Sequence, residues 1–69
     1  MKIHILGIGG TFMAGIAIIA KQLGHDVSGS DKNLYDPMKS VLINNKIRFT
    51  ENYNSSVIKK NIDLVIVGN

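Results

Sequence analysis

The run Ile3-His4-Ile5-Leu6 stops at Gly7-Ile8-Gly9-Gly10, and a second apolar run then reaches Leu23 before Gly24 closes it. A short extended run bounded by glycine reads as a strand, and the longer run, with apolar residues three and four apart, reads as a helix. A strand that turns through glycines into a helix calls for a further parallel strand, because the helix must lie back over a sheet to bury its apolar face.

Glycines let a backbone turn sharply and come close to a ligand. Free N–H groups at a helix start then meet an anion with the positive end of the helix dipole. The junction therefore predicts a cradle for a phosphorylated small molecule, a nucleotide first of all. Its spacing departs from the dinucleotide fingerprint Gly-x-Gly-x-x-Gly, whose third glycine would fall at Phe12. Gly15, one turn further on, is expected to allow the close packing of helix on sheet. A tight turn that touches no ligand is the plainer alternative, and the strand, helix and acid-ended second strand around the turn weigh against it.

The 69 residues allow one small domain, and 45% hydrophobic with 19% charged content is globular rather than disordered. A core of this size supplies roughly 3–5 kcal/mol. The chain has no cysteine to staple it, and its two histidines lack the spacing of a zinc site. That usage fits a reducing, cytoplasmic setting. The net charge of +3 is spread over Lys2, Lys21, Lys32, Lys39, Lys46, Arg48, Lys59 and Lys60, without the clustered face and aromatic platforms of a nucleic-acid binder. No segment reaches the ~18–20 apolar residues of a membrane span, and no leader-like run opens the chain.

In order, Lys2–Leu6 reads as the first strand, and Phe12–Leu23 as the first helix with Gly24 as its stop. Phe12, Ile16, Ile19 and Leu23 form one stripe, with Met13, Ala17 and Ala20 beside it, so the helix expects cover on more than one side. His4, upstream of the turn, reads as structural. Residues 27–31 read as a second strand ending in Asp31, about 24 residues after Gly7, near the distance at which an acid meets a ribose hydroxyl in a strand–helix–strand nucleotide unit. Ser30 would add a hydroxyl contact, and Gly29 would keep the approach open. Asp36 is expected to cap a second helix with Pro37 at its first position. Ile47–Thr50 reads as a third strand, and Val57–Asn61 as a short helical turn. Asp63–Val67 reads as a buried strand. Tyr53 and Asn54 would lie beyond the third strand on the nucleotide side. The fold class is α/β, a Rossmann-like three-layer unit with a parallel sheet of about four strands, incomplete at its C-terminus.

Ile3 to Gly15, followed by Gln22-Leu23-Gly24-His25-Asp26-Val27-Ser28-Gly29-Ser30-Asp31, closely resembles the N-terminal domain of the Mur ligases. Gly10-Thr11-Phe12-Met13, Tyr35-x-Pro37-Met38 and Asp63 to Asn69 look like the branch that serves peptidoglycan recycling, whereas Gly9 is the form common in the alanine-adding branch. The resemblance covers residues 1–69. It implies a domain that holds the UDP part of a UDP-N-acetylmuramate-type nucleotide sugar. Gly7, Gly9, Gly10, Thr11, Phe12 and Met13 would cradle the diphosphate, chiefly through backbone N–H groups. Ser30 and Asp31 would contact the uridine, and Tyr53 stands where alanine ligases tend to have a histidine near the phosphates. It also implies ATP and Mg2+ for the full-length enzyme, handled by a central domain whose Gly-x-x-Gly-Lys-[Ser/Thr] loop this sequence lacks. On this reading the chain is a truncated piece that binds without catalysing, holds no cofactor or metal, and would depend on remaining ligase domains. The competing readings are an NAD(P)-binding module of an oxidoreductase or regulatory protein, and a remnant that does not fold stably alone.

Overall fold

The computed structural model describes residues 1–51 and 61–68. The elements are β1 (Lys2–Leu6), α1 (Thr11–Gln22), β2 (Asp26–Ser30), α2 (Met38–Asn44), β3 (Arg48–Thr50) and β4 (Leu64–Val67). All pairings are parallel, and the four strands lie in the order β3-β2-β1-β4. The α/β Rossmann-like expectation is met, with strand boundaries within a residue or so of those read from the sequence. The expected Val57–Asn61 turn lies almost entirely outside the described residues.

Register sets which side chains face which layer. Lys2 pairs with Asp26 and Leu6 with Ser30, so Ile3, Ile5 and Val27 share one face while His4, Ser28 and Ser30 share the other. The first face is the core, where these side chains meet Ala14 and Ala17 of α1, Leu42 of α2, and Ile8, Leu34 and Ile47 from the connections. Ile5, Ile8 and Leu42 are wholly buried, and burial on this scale stabilises by about 1.5–3 kcal/mol per side chain. The other face opens on a cavity of about 340 Å³, lined in part by Lys2, His4, Ser28, Arg48 and Thr50.

The helix ends follow from local chemistry. The Gly24 N–H donates to the Lys21 carbonyl and the His25 N–H to the Ala20 carbonyl, with Gly24 at φ +95°. This is the paired-carbonyl stop that glycine makes without a Cβ penalty. The same two bonds close α2, from Lys46 to Ile43 and from Ile47 to Leu42, but the left-handed residue there is Lys46 at φ +57°.

The α2 start differs from expectation: Pro37 holds the cap position and the helix begins at Met38. Asp36 nevertheless accepts from the Ser40 hydroxyl at 2.6 Å and the Ser40 N–H at 3.0 Å. Those two bonds, the hydroxyl's first, hold its carboxyl below the ordinary carboxylate range.

Three further expectations are corrected. Phe12, Ile19 and Leu23 face outward, at 78%, 59% and 72% exposure. The face turned to the sheet is instead built on the small residues Ala14 and Ala17, which let the helix axis come close. Gly15 plays no part in that approach, since a Cβ placed on it would meet nothing within 4 Å. Nor is β4 buried: it is an edge strand flanked only by β1 among the described residues, and Val67 is 74% exposed. A buried parallel strand needs neighbours on both sides and cover on both faces.

Candidate functional site

Strand order reverses at β1, with β2 and β3 on one side and β4 on the other. The crevice beyond the carboxyl ends of strands at such a switch point is where open α/β sheets receive ligands. The turn from β1 into α1 occupies that position.

Each residue of the turn is tied down by a different neighbour. Gly7 sits at φ +85°, and a Cβ there would lie 2.9 Å from the Gly68 carbonyl oxygen, so only glycine fits between β1 and β4. The Gly7 and Ile8 N–H groups both donate to the Ser30 carbonyl, at 2.8 and 3.3 Å. Ile8 is wholly buried, and its side chain fills the space that a Cβ on Gly29 would need. Gly29 therefore seats Ile8 rather than clearing a path for ligand. The Gly9 N–H donates to Asp31 Oδ2 at 2.8 Å, and the Gly10 N–H to the Gly7 carbonyl at 3.3 Å. On the β4 side the Gly68 N–H donates to the Leu6 carbonyl at 2.6 Å, and a Cβ on Gly68 would meet the Met13 side chain.

Beyond Gly10 the pattern changes. The first helical bond runs from the Ala14 N–H to the Gly10 carbonyl. Among the described residues the N–H groups of Thr11, Phe12 and Met13 have no partner, and no side chain caps the helix. The first turn of α1 also carries no acidic residue, so its partial positive charge is not offset within the helix. Thr11 and Phe12 are exposed and Met13 half-buried. A tetrahedral anion fits such a set of unpaired N–H groups.

The structure thus brings Gly7, Gly9, Gly10, Thr11, Phe12, Met13, Ser30 and Asp31 together at one end of the sheet, while Tyr53 lies outside the described residues. Two placements differ from the sequence reading. The Gly9 N–H, expected to face a ligand, is instead taken by Asp31. Ser30 is buried to 1% exposure, and its hydroxyl lies 3.2 Å from His4 Nε2. Even-numbered positions of β2 face the same side as His4, so Ser30 turns away from the crevice.

His4 also meets the Ser28 hydroxyl through Nδ1 at 2.9 Å. Burial lowers its pKa below the ordinary imidazole value. A neutral ring offers one donor and one acceptor, and the two hydroxyls supply the complements. This buried group is structural, as its place upstream of the turn suggested, and the cavity beside it opens on the face away from α1.

The sequence reading missed Ile8, Leu34 and Gly68. An isoleucine set between glycines, and a leucine isolated in the polar stretch 32–36, are the signals of side chains that pin a turn from beneath. Gly68 carried no comparable signal, because its role depends on which strand lies beside β1.

The sequence matches the family model described as Mur ligase family, catalytic domain, over residues 2–69. It is 52% identical over 69 residues to the UDP-N-acetylmuramate--L-alanyl-gamma-D-glutamyl-meso-2,6-diaminoheptandioate ligase of Escherichia coli strain K12, covering 100% of this chain and 15% of that protein. The protein of the same name from Haemophilus influenzae is 52% identical over 67 residues, covering 97% of this chain and 15% of its own length. The crystal structure of a murein peptide ligase from Psychrobacter arcticus superposes with a TM-score of 0.93 at 48% identity, over 100% of this chain and 14% of that one. The chain thus spans about one-seventh of the length of the relatives it matches.

Proposed function

Because the chain belongs to the Mur ligase family, we propose that its β1–α1 turn binds the diphosphate of a UDP-N-acetylmuramate-type substrate. The observation that carries this reading is the run of unpartnered N–H groups on Thr11, Phe12 and Met13 at the switch point. The relatives' names specify a UDP-N-acetylmuramate substrate, whose diphosphate is the anion those amides suit. The adjoining uridine would lie toward the ends of β2 and β3, beside Asp31 and Thr50.

The chain's part in the reaction is to hold and orient the nucleotide end of the substrate, in the cytoplasm. Among the described residues no helix is long and apolar enough to cross a membrane. The amide-forming step of such a ligase, with ATP and Mg2+ as the groups the family implies, needs residues of another kind. The sequence has no Gly-x-x-Gly-Lys-[Ser/Thr] loop, and among the described residues no three His, Cys, Asp or Glu side chains gather for a metal ion. Neither ATP nor Mg2+ is given a site among the described residues, and no catalytic role is assigned to them. The remaining ligase domains are the partner this function requires.

Calorimetric titration separates this reading from a dinucleotide-binding one. UDP-N-acetylmuramate and UDP should bind with similar affinity, while NAD binds at least tenfold more weakly. NAD binding as tightly as UDP would refute the assignment.

A further inference from the structure

Asp31 makes more contacts than a ribose ligand needs. Its Oδ2 accepts the Gly9 N–H at 2.8 Å, its Oδ1 accepts the Asn33 N–H at 2.9 Å, and its own N–H donates to the Thr50 carbonyl at 3.1 Å. One residue therefore joins the β1–α1 turn, the exit of β2 and the end of β3. The carboxylate lies flush on Gly9: a Cβ there would fall 2.8 Å from Oδ2 and 2.9 Å from Leu34 Cδ1. Leu34, at 4% exposure, packs beside the carboxylate against the same point of the turn.

Building on the proposed nucleotide site, we infer that Asp31 is a positioning residue that sets where the diphosphate sits. It withdraws the Gly9 N–H from ligand binding and places a negative charge beside it, which repels a phosphate from that end of the turn. The anion is thereby directed to the Thr11, Phe12 and Met13 amides, and the turn that presents them is held before ligand arrives. Two opposite consequences of removing the charge make the inference testable. If Asp31 only competed with phosphate for Gly9, neutralising it would tighten binding. If it positions the turn, neutralising it weakens binding, because the asparagine amide nitrogen turns a donor toward one of two N–H donors and frees that loop.

The test combines Asp31→Asn with amide NMR on the wild-type chain, using UDP as the probe. In the wild type, adding UDP should shift the Thr11, Phe12 and Met13 amides and leave the Gly9 amide slow to exchange and nearly unmoved. Asp31→Asn should weaken UDP binding by roughly tenfold, the scale of one charge-assisted hydrogen bond, at a temperature where the amide spectrum shows the variant folded. Tighter binding, unchanged binding with only a lower melting temperature, or a Gly9 amide that shifts most on UDP addition would each overturn the inference. Those results leave the nucleotide site standing, whereas a wild-type chain that binds no UDP would remove the site and this role together.

Discussion

Exchanging Gly7 and Gly15 for alanine, one at a time, should move stability in opposite directions, although both lie in the same glycine-rich segment. At Gly7 the φ of +85° costs an L-residue roughly 1–2 kcal/mol. The new Cβ would lie 2.9 Å from the Gly68 carbonyl oxygen and 3.1 Å from its carbon. That carbonyl cannot retreat easily, because the Gly68 N–H is bonded to Leu6 at 2.6 Å. Overpacking against fixed backbone adds about 1–3 kcal/mol. The total, roughly 2–5 kcal/mol, rivals the ~3–5 kcal/mol that a core of this size supplies, so Gly7→Ala should leave much of the protein unfolded at 25 °C. Gly15 sits in mid-helix with open space where its Cβ would go, and alanine there should stabilise by about 0.5–1 kcal/mol. Urea and thermal unfolding followed by circular dichroism would read both variants. Gly15→Ala should raise the midpoint by roughly 2–8 °C, while Gly7→Ala lowers it well beyond that interval. A Gly7→Ala protein as stable as wild type, or a Gly15→Ala protein less stable, would refute the assignment of the turn to Gly7 and of an open face to Gly15.

Two further outcomes follow from other parts of the fold. Because burial lowers the folded-state pKa of His4, the unfolded chain takes up the proton first as pH falls through about 6.5. Stability should therefore be full above that pH, fall below it, and level off once folded His4 is also protonated; urea unfolding across pH 4.5–8, with the His4 ring signals as the reporter, would check this, and stability rising toward pH 5 would contradict it. Lys46→Gly should stabilise by ~0.5–1 kcal/mol, since glycine takes the left-handed position at the end of α2 without the Cβ penalty; an unfolding midpoint lower than wild type would count against it.

The strand–helix alternation, the parallel pairing and the glycine turn were legible because each rests on local chemistry. Gly7, Gly10 and Gly24 punctuate the chain where the backbone turns, and the apolar run Ile3-His4-Ile5-Leu6 stops at the first of them. What could not be read depends on register and on neighbours far along the chain. Ser30 looked like a ligand contact because it precedes Asp31, yet strand parity turns it toward His4. Asp31 looked like a ribose acid, and only the placement of β1 beside β2 shows its carboxylate 2.8 Å from the Gly9 nitrogen. The first helix misled through its bulky residues: Phe12, Ile19 and Leu23 outweigh Ala14 and Ala17 on any hydropathy scale, but close approach to a sheet selects the small ones. Leu64-Val65-Ile66-Val67 reads as a buried strand by composition, while its edge position follows from the strand order.

The most direct measurement is the crystal structure of the chain soaked with a uridine diphosphate sugar. The account predicts diphosphate oxygens within hydrogen-bond distance of the Thr11, Phe12 and Met13 nitrogens, with the Gly9–Asp31 bond intact. A diphosphate bound elsewhere, or a soaked crystal in which those amides face only solvent, would contradict it.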